Sequence, residues 1–327
     1  MSNQEPRGIT VPERFIPTPT SISSQAQAFL SSGLQISPPD IAVEDKAGWR
    51  NYVAMVESHL AKTGAARVAA YPATITEHPL SAVTLYEVAP DTLAPDHDDK
   101  AIYHIHGGAF IVGGGISAAH AAQPVASVAG LRSFSVDYRM PPDYPFPTGL
   151  YDCLEGYRFL LERYAAGRIV IEGSSAGANL AAAVTLLARD EGLPLPGACM
   201  LHTAGVDMTF SGDTFATNET IDVVLRTSHN NAMPLYCNGH DTRDPYLSPV
   251  FGDFSKGFPP TQLISGTRDM LLSPTVMMHR ELRRAGLEAE LHVFEAMPHG
   301  GFGNMSPEDF ERLEESARFI RKHICGV

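Results

Sequence analysis

The chain has 327 residues, 44% of them hydrophobic, and a formal charge of −13. An acidic chain with no run of lysine or arginine offers no phosphate-tracking stripe, so nucleic acid and anionic membrane are not expected as partners. The length accommodates one large α/β domain or two smaller ones.

The N-terminal MSNQEPRGIT has no apolar signal-peptide core, and no later apolar run reaches membrane-spanning length. Residues 1–20 are rich in proline and read as a surface arm. SSQAQAFLSSGL (23–34) and residues 43–64 read as amphipathic helices, the second on the helical spacing of Trp49, Val53, Val56 and Leu60. From Arg67 to Glu87 β-branched residues alternate, which predicts an antiparallel strand pair. Strands are then predicted at 101–106, 132–137, 168–172, 197–202, 261–265 and 290–294. Helices at 148–165, 177–189, 274–285 and 306–323 separate most of them. Ser306 as N-cap, Pro307 at the first helical position and acids at 308 and 309 mark the start of the last helix. Such alternation predicts a mostly parallel sheet with helices on both faces. Residues 205–245 break the rhythm, being polar and rich in Asn, Asp and Thr, and read as an insertion at the strand tips. Cys153, Cys199, Cys237 and Cys325 have no C-x-x-C or metal spacing. They read as free thiols of a reducing compartment, and the expected location is the cytoplasm.

The stretch RIVIEGSSAGANL (168–180) runs from aliphatic residues into Gly-Ser-Ser-Ala-Gly and then into a helix-forming segment. Only one register fits G-x-S-x-G, Gly173 to Gly177, and it selects Ser175 as a nucleophile on a strained strand-to-helix turn. A buried strand before it and Ala178, Leu180, Ala181, Val184 and Leu187 after it favour that reading over a simple tight turn. Ser174 reads as a neighbour with local hydrogen bonds only.

A serine alcohol needs donors for the oxyanion that its attack creates, and one such donor is typically worth about 2.7–4 kcal/mol. AIYHIHGGAFIVGGG (101–115) supplies a source: the amides of Gly107 and Gly108, completed by that of Ala176. The same glycines lack the Gly-Lys-Ser/Thr ending or the helix-leading G-x-G-x-x-G of a phosphate loop. His104 and His106 lie two apart but have no further ligand cluster, so neither a metal nor an organic cofactor is expected.

Among thirteen histidines, His299 stands just past a strand end with glycines behind it and reads as the base. His292, His279 and His323 are explained by packing or solvent, while His202 ends a strand and reads as a pocket wall. Asp269 follows the strand at 261–265 through Gly-Thr-Arg, where an acid can orient the imidazole; Asp244 and Asp253 are its rivals. The order Ser175, Asp269, His299 is the chain order of α/β-hydrolases.

Together HGGAF, DYRMPPDYPFPTGLYD (137–152), GSSAGANL and DPYLSPVFGDF with FPPTQLISGTRDMLL resemble, in order, the motifs of the bacterial hormone-sensitive lipase family of α/β-hydrolase carboxylesterases. IPTPTSISSQAQAFL resembles members near the monoterpene ε-lactone hydrolases. The resemblance implies a mostly parallel eight-stranded sheet, with a catalytic domain over 66–204 and 246–327 and a helical cap from 1–65 and 205–245. It implies a serine esterase acting on short or small-molecule esters through an acyl-enzyme, with a lactone hydrolase as the alternative and a non-catalytic small-molecule receptor as a remote one. Phe110, His202, Val206 and Met208 are the expected pocket walls, and a homodimer through the sheet edge is expected. Three residues depart from the family pattern: Ala109 for a third glycine, Ser174 for Asp, and Asp143 for Glu.

Overall fold

The computed structural model describes residues 8–33, 40–95, 97–226 and 231–326. Parts of the expected arm (1–7), of the first predicted helix and cap segment (34–39) and of the 205–245 insertion (227–230) lie outside the described residues.

In chain order, the helices are α1 (Ser24–Ser31), α2 (Lys46–Thr63), α3 (Ala65–Ala70), α4 (Ile116–Ala129), α5 (Thr148–Leu161), α6 (Ala176–Asp190), α7 (Thr214–Thr217), α8 (Ala232–Cys237), α9 (Leu272–Arg284) and α10 (Pro307–Ile320). The strands are β1 (Ala73–Pro79), β2 (Thr84–Pro90), β3 (Ala101–Ile105), β4 (Ser133–Asp137), β5 (Ile169–Ser174), β6 (Ala198–His202), β7 (Thr261–Gly266) and β8 (Ala289–Phe294). They form one eight-stranded sheet in the order β1-β2-β4-β3-β5-β6-β7-β8. β2 runs antiparallel to both β1 and β4, and the remaining pairs are parallel.

Strand alternation divides the core. Tyr103, Ile105, Ile169, Ile171, Cys199 and Leu201 face the layer of α5 and α6, whereas Ile102, Val170, Ala198 and Met200 face α4 and α10. Burial on both faces is why the central strands read as short aliphatic runs. The predicted six strands of the parallel part are all present, within one or two residues at their ends.

Two expectations at the front of the chain are corrected. Ala65–Ala70 is helical, so the antiparallel pair starts at Ala73 and not at Arg67; alanines in AARVAA favour helix over the alternation read across them. The domain boundary expected at 65/66 therefore falls at the start of α3. The helix α4 was not anticipated: ISAAHAAQPVASVA buries alanines, so it shows little contrast between faces, and it carries Pro124 inside.

The start of α10 holds a reciprocal cap. Ser306 Oγ accepts from Asp309 N at 3.1 Å and Asp309 Oδ2 accepts from Ser306 N at 3.2 Å. Asp309 also accepts from the amides of Phe302 and Met305, which fixes the turn that follows His299. In the motif at 137–152, Arg139 makes a two-pronged contact with Asp152 (3.0 and 2.7 Å), while Asp143 takes Arg50 of α2. All four cysteines are free thiols, and no helix among the described residues is long and apolar enough to cross a membrane.

Candidate active site

β5 delivers Ser175 into a sharp turn before α6, with φ 60° and ψ −121°. That left-handed backbone costs a non-glycine residue about 1–3 kcal/mol and persists only where its surroundings over-determine it. They do so here. A Cβ on Gly173 would lie 2.4 Å from the backbone of Gly177, and one on Gly177 would lie 2.0 Å from Ile105 O, so the strand and helix meet through glycine alone. Ser175 N donates to His202 O at 2.9 Å, and the Asn179 side-chain amide ties α6 to Gly205 O and Leu247 O. Ser174 contacts Thr203 Oγ1 at 3.2 Å, a local bond of the kind expected.

The loops after β7 and β8 bring the other two residues to this turn. His299 Nε2 lies 2.8 Å from Ser175 Oγ, and His299 Nδ1 lies 3.1 Å from Asp269 Oδ1. Asp269 is fully buried and its oxygens are further held by Ser265 Oγ at 2.6 Å and Leu271 N at 2.9 Å. The rival acids lie elsewhere: Asp244 caps the turn at Tyr246 N, and Asp253 that at Ser255 N. Burial opposes an imidazolium at His299, but the hydrogen bond and charge of Asp269, reinforced by Asp222, outweigh it and raise the pKa above the ordinary imidazole value.

Asp222 is a residue that sequence reasoning missed. It lies in the 205–245 segment, fully buried, and accepts from Met270 N at 2.9 Å, Val224 N at 2.8 Å and His299 N at 3.3 Å. One carboxylate thus clamps the backbones of the loops that carry Asp269 and His299. Nothing local marks its role: the two loops that it joins lie 48 and 77 positions away. If His299 acts as a base it must be neutral to accept a proton, so kcat/KM should rise with pH through a midpoint above the ordinary imidazole value. Asp222→Asn removes one charge that favours the imidazolium, and the midpoint should fall. A pH–rate profile checks this; an unmoved midpoint would limit Asp222 to holding the backbone.

The glycine loop packs directly against the serine turn. A Cβ on Gly107 would sit 2.7 Å from Ser174 O and 3.3 Å from Ser175 Cβ, so this backbone can approach Ser175 only without a side chain. Gly108 has φ +115°, and a Cβ there would meet Val112 O at 2.0 Å. Ala109 and Phe110 also have positive φ, 54° and 63°, so the departure at Ala109 does occupy a strained position. His106 and His104 have different partners. His106 stacks on Tyr138, donates to Gly107 O at 2.8 Å and is pushed down to about 4 by burial, while His104 pairs with Glu172.

A cavity of about 780 Å³ opens over Ser175 and His299. Tyr52 and Val56 of α2, Ile111 and Val112, and Val224 and Leu225 supply its apolar wall. Of the expected pocket walls, only His202 lines it. Phe110 turns inward on its positive φ and stacks on Tyr236 at 3.8 Å. Val206 and Met208 are core residues, because the chain after β6 folds back onto residues 248–250, with Val250 N on Val206 O and Met208 N on Ser248 Oγ.

A mostly parallel eight-stranded sheet with a serine on a strand-to-helix turn and a histidine beyond the last strand is the architecture of an α/β-hydrolase. The chain belongs to the alpha/beta hydrolase fold family, whose model matches residues 102–303, and within it to the hormone-sensitive-lipase-like esterases. It is similar to an acetyl-hydrolase of Streptomyces hygroscopicus, 29% identical over 248 residues that make up 74% of this chain and 83% of that protein. Among solved structures it is similar to esterase E25, with 34% identity, a TM-score of 0.89 and coverage of 97% and 99% of the two chains. An esterase from the bacterial hormone-sensitive lipase family shares 26% identity and a TM-score of 0.78, over 92% of this chain and 99% of that one.

Proposed function

We propose that this chain is a serine carboxylic ester hydrolase that cleaves short or small-molecule esters through an acyl-enzyme. The carrying observation is the chain of contacts from Asp269 through His299 to Ser175 Oγ, at 3.1 and 2.8 Å, with His299 and Ser175 lining the cavity. His299 takes the Ser175 proton as Oγ attacks the ester carbonyl, and the amides of Gly107, Gly108 and Ala176 hold the oxyanion. The imidazolium, stabilised by Asp269, then protonates the leaving alcohol. Water attacks the acyl-enzyme with the same groups in the same roles, releasing the acid. These steps draw on no metal or organic cofactor.

In this reading, α2 and the 205–245 segment act as a cap that limits the size of acyl and alcohol groups. Trp49 and Val56 of α2 pack with Ala232 and Leu235 of α8 over Ile111 and Val112, which supports that role. The four free thiols support a reducing, cytoplasmic location. The edge strand β8, with Val293 44% exposed, is the surface on which a homodimer would pair. An organophosphonate should add one adduct per chain, mapping to Ser175, and an activated nitrophenyl ester should give a stoichiometric burst. A label on any other residue would overturn the assignment.

A further inference from the structure

The cavity does not end at Ser175. It continues beneath the α4–α10 face of the sheet, where His104, Glu172 and His202 project from neighbouring strands and Arg312 enters from α10. Arg67 of α3 lines the same space. His104, Glu172, His202 and Arg312 are each less than 9% exposed.

This chamber holds buried polar atoms that lack partners. His104 Nε2, Arg312 Nε and Arg67 Nε make no hydrogen bond among the described residues. His106 Nε2, nearer Ser175 in the same cavity, is a fourth; buried polar groups of folded proteins are almost always paired, so such a group of them points to a ligand. The nearby acids are already engaged. Glu172 contacts His104 Nδ1, and although burial alone would raise its carboxyl, that imidazole holds it below the usual range. Asp309 accepts from the amides of Phe302, Met305 and Ser306 and stays 3.9 Å from Arg312 Nη2, which instead donates to Asn304 Oδ1 at 2.5 Å. His202 is pushed down to about 4, chiefly by burial and then by Arg312, and is therefore neutral. With Glu172 bonded to His104 and Asp309 to the turn amides, the Nε–H groups of two arginines that line the chamber are left without an acceptor. Glu172 in the same wall disfavours a dianion, which leaves a monoanion. Guanidinium matches a carboxylate in shape. Val125 and Leu313 add apolar surface to the lining of the same cavity.

We propose that the inner chamber binds the free carboxylate of a half-ester, a substrate in which one carboxyl of a dicarboxylic acid is esterified and the other ionised. The proposal rests on the esterase reading and names its substrate class. Hydrolysis adds one water across the ester bond and releases the alcohol, one proton and the dicarboxylate. Chain length should matter, because His104 and Glu172 lie three strand residues below Gly107 and Ser175, roughly 10 Å along the sheet.

The test compares kcat/KM of the wild-type enzyme for monoethyl esters of diacids, from succinate to sebacate, with ethyl esters of the matching monoacids. At the best length the half-ester should lead by about tenfold or more, through KM, as a charge-assisted contact would give. The corresponding free dicarboxylate should inhibit competitively. Arg67→Met and Arg312→Met should each lower the half-ester to neutral-ester ratio, which is taken within each variant. Arg67 lies on a short, largely exposed helix, so its variant reads the site even where Arg312→Met fails to fold. Neutral esters preferred at every length, with no inhibition by dicarboxylates, would overturn the proposal while leaving the esterase reading intact. Failure to hydrolyse any ester would remove both.

Discussion

Ser175→Ala is expected to lower kcat on a short nitrophenyl ester by about a millionfold, and to abolish the nitrophenol burst. The size follows from what the hydroxyl does: without Oγ there is no covalent acyl-enzyme, and His299 has nothing to activate at 2.8 Å. The glycine-loop amides remain, so the residue of activity should still exceed the uncatalysed rate by about 10³–10⁴. Stability should change little, since alanine inherits the same strained turn with φ 60° and the backbone bond from position 175 to His202 O is kept. Ser174→Ala serves as the internal comparison, because that hydroxyl contacts Thr203 and not the base; its burst should persist. Retention of the burst in Ser175→Ala, or its loss only in Ser174→Ala, would move the nucleophile to the wrong side of the turn.

The parallel part of the fold was legible because its strands are buried on both faces and its helices are spaced between them. RIVIEG could be read as a strand and GSSAGANL as a turn into a helix because glycine is required there by contact distance, not merely tolerated. The helix α4 was not legible: alanines on several sides look the same to a periodicity argument as a linker does. The three residues that the geometry brings together lie at strand ends and carry local signals, namely glycines beside them and a strand just before. Asp222 carries none. Its role exists only once residues 48 and 77 positions away have been folded against it. Pocket walls were the least legible feature. Whether Phe110 faces the cavity depends on the sign of φ at Ala109 and Phe110, and the sequence shows the loop but not the sense in which it turns. Val206 and Met208 were misplaced for a related reason, since the return of the chain onto residues 248–250 is a tertiary event.

The same geometry distinguishes what a carboxylate supplies at position 269 by shape from what it supplies by charge. Asp269→Asn can keep most of the shape. Its side-chain oxygen can still accept from Leu271 N and His299 Nδ1, while its amide nitrogen turns to Ser265 Oγ, a hydroxyl that accepts as readily as it donates. The orientation of His299 should therefore largely survive. What is lost is the negative charge that favours the imidazolium formed when the Ser175 proton is taken, in a site where both His299 and Asp269 are buried and screening is weak. The expected result is a fall in kcat of about 10⁴ with little change in KM, together with a downward shift of the acid limb of kcat/KM, since Asp269 is the main cause that raises the His299 pKa. Asp222 remains as a second, weaker charge, so the shift should exceed that of Asp222→Asn. Measuring both limbs in the two variants orders the contributions; a larger shift in Asp222→Asn would place the dominant charge on the clamp and not on the residue that touches the imidazole.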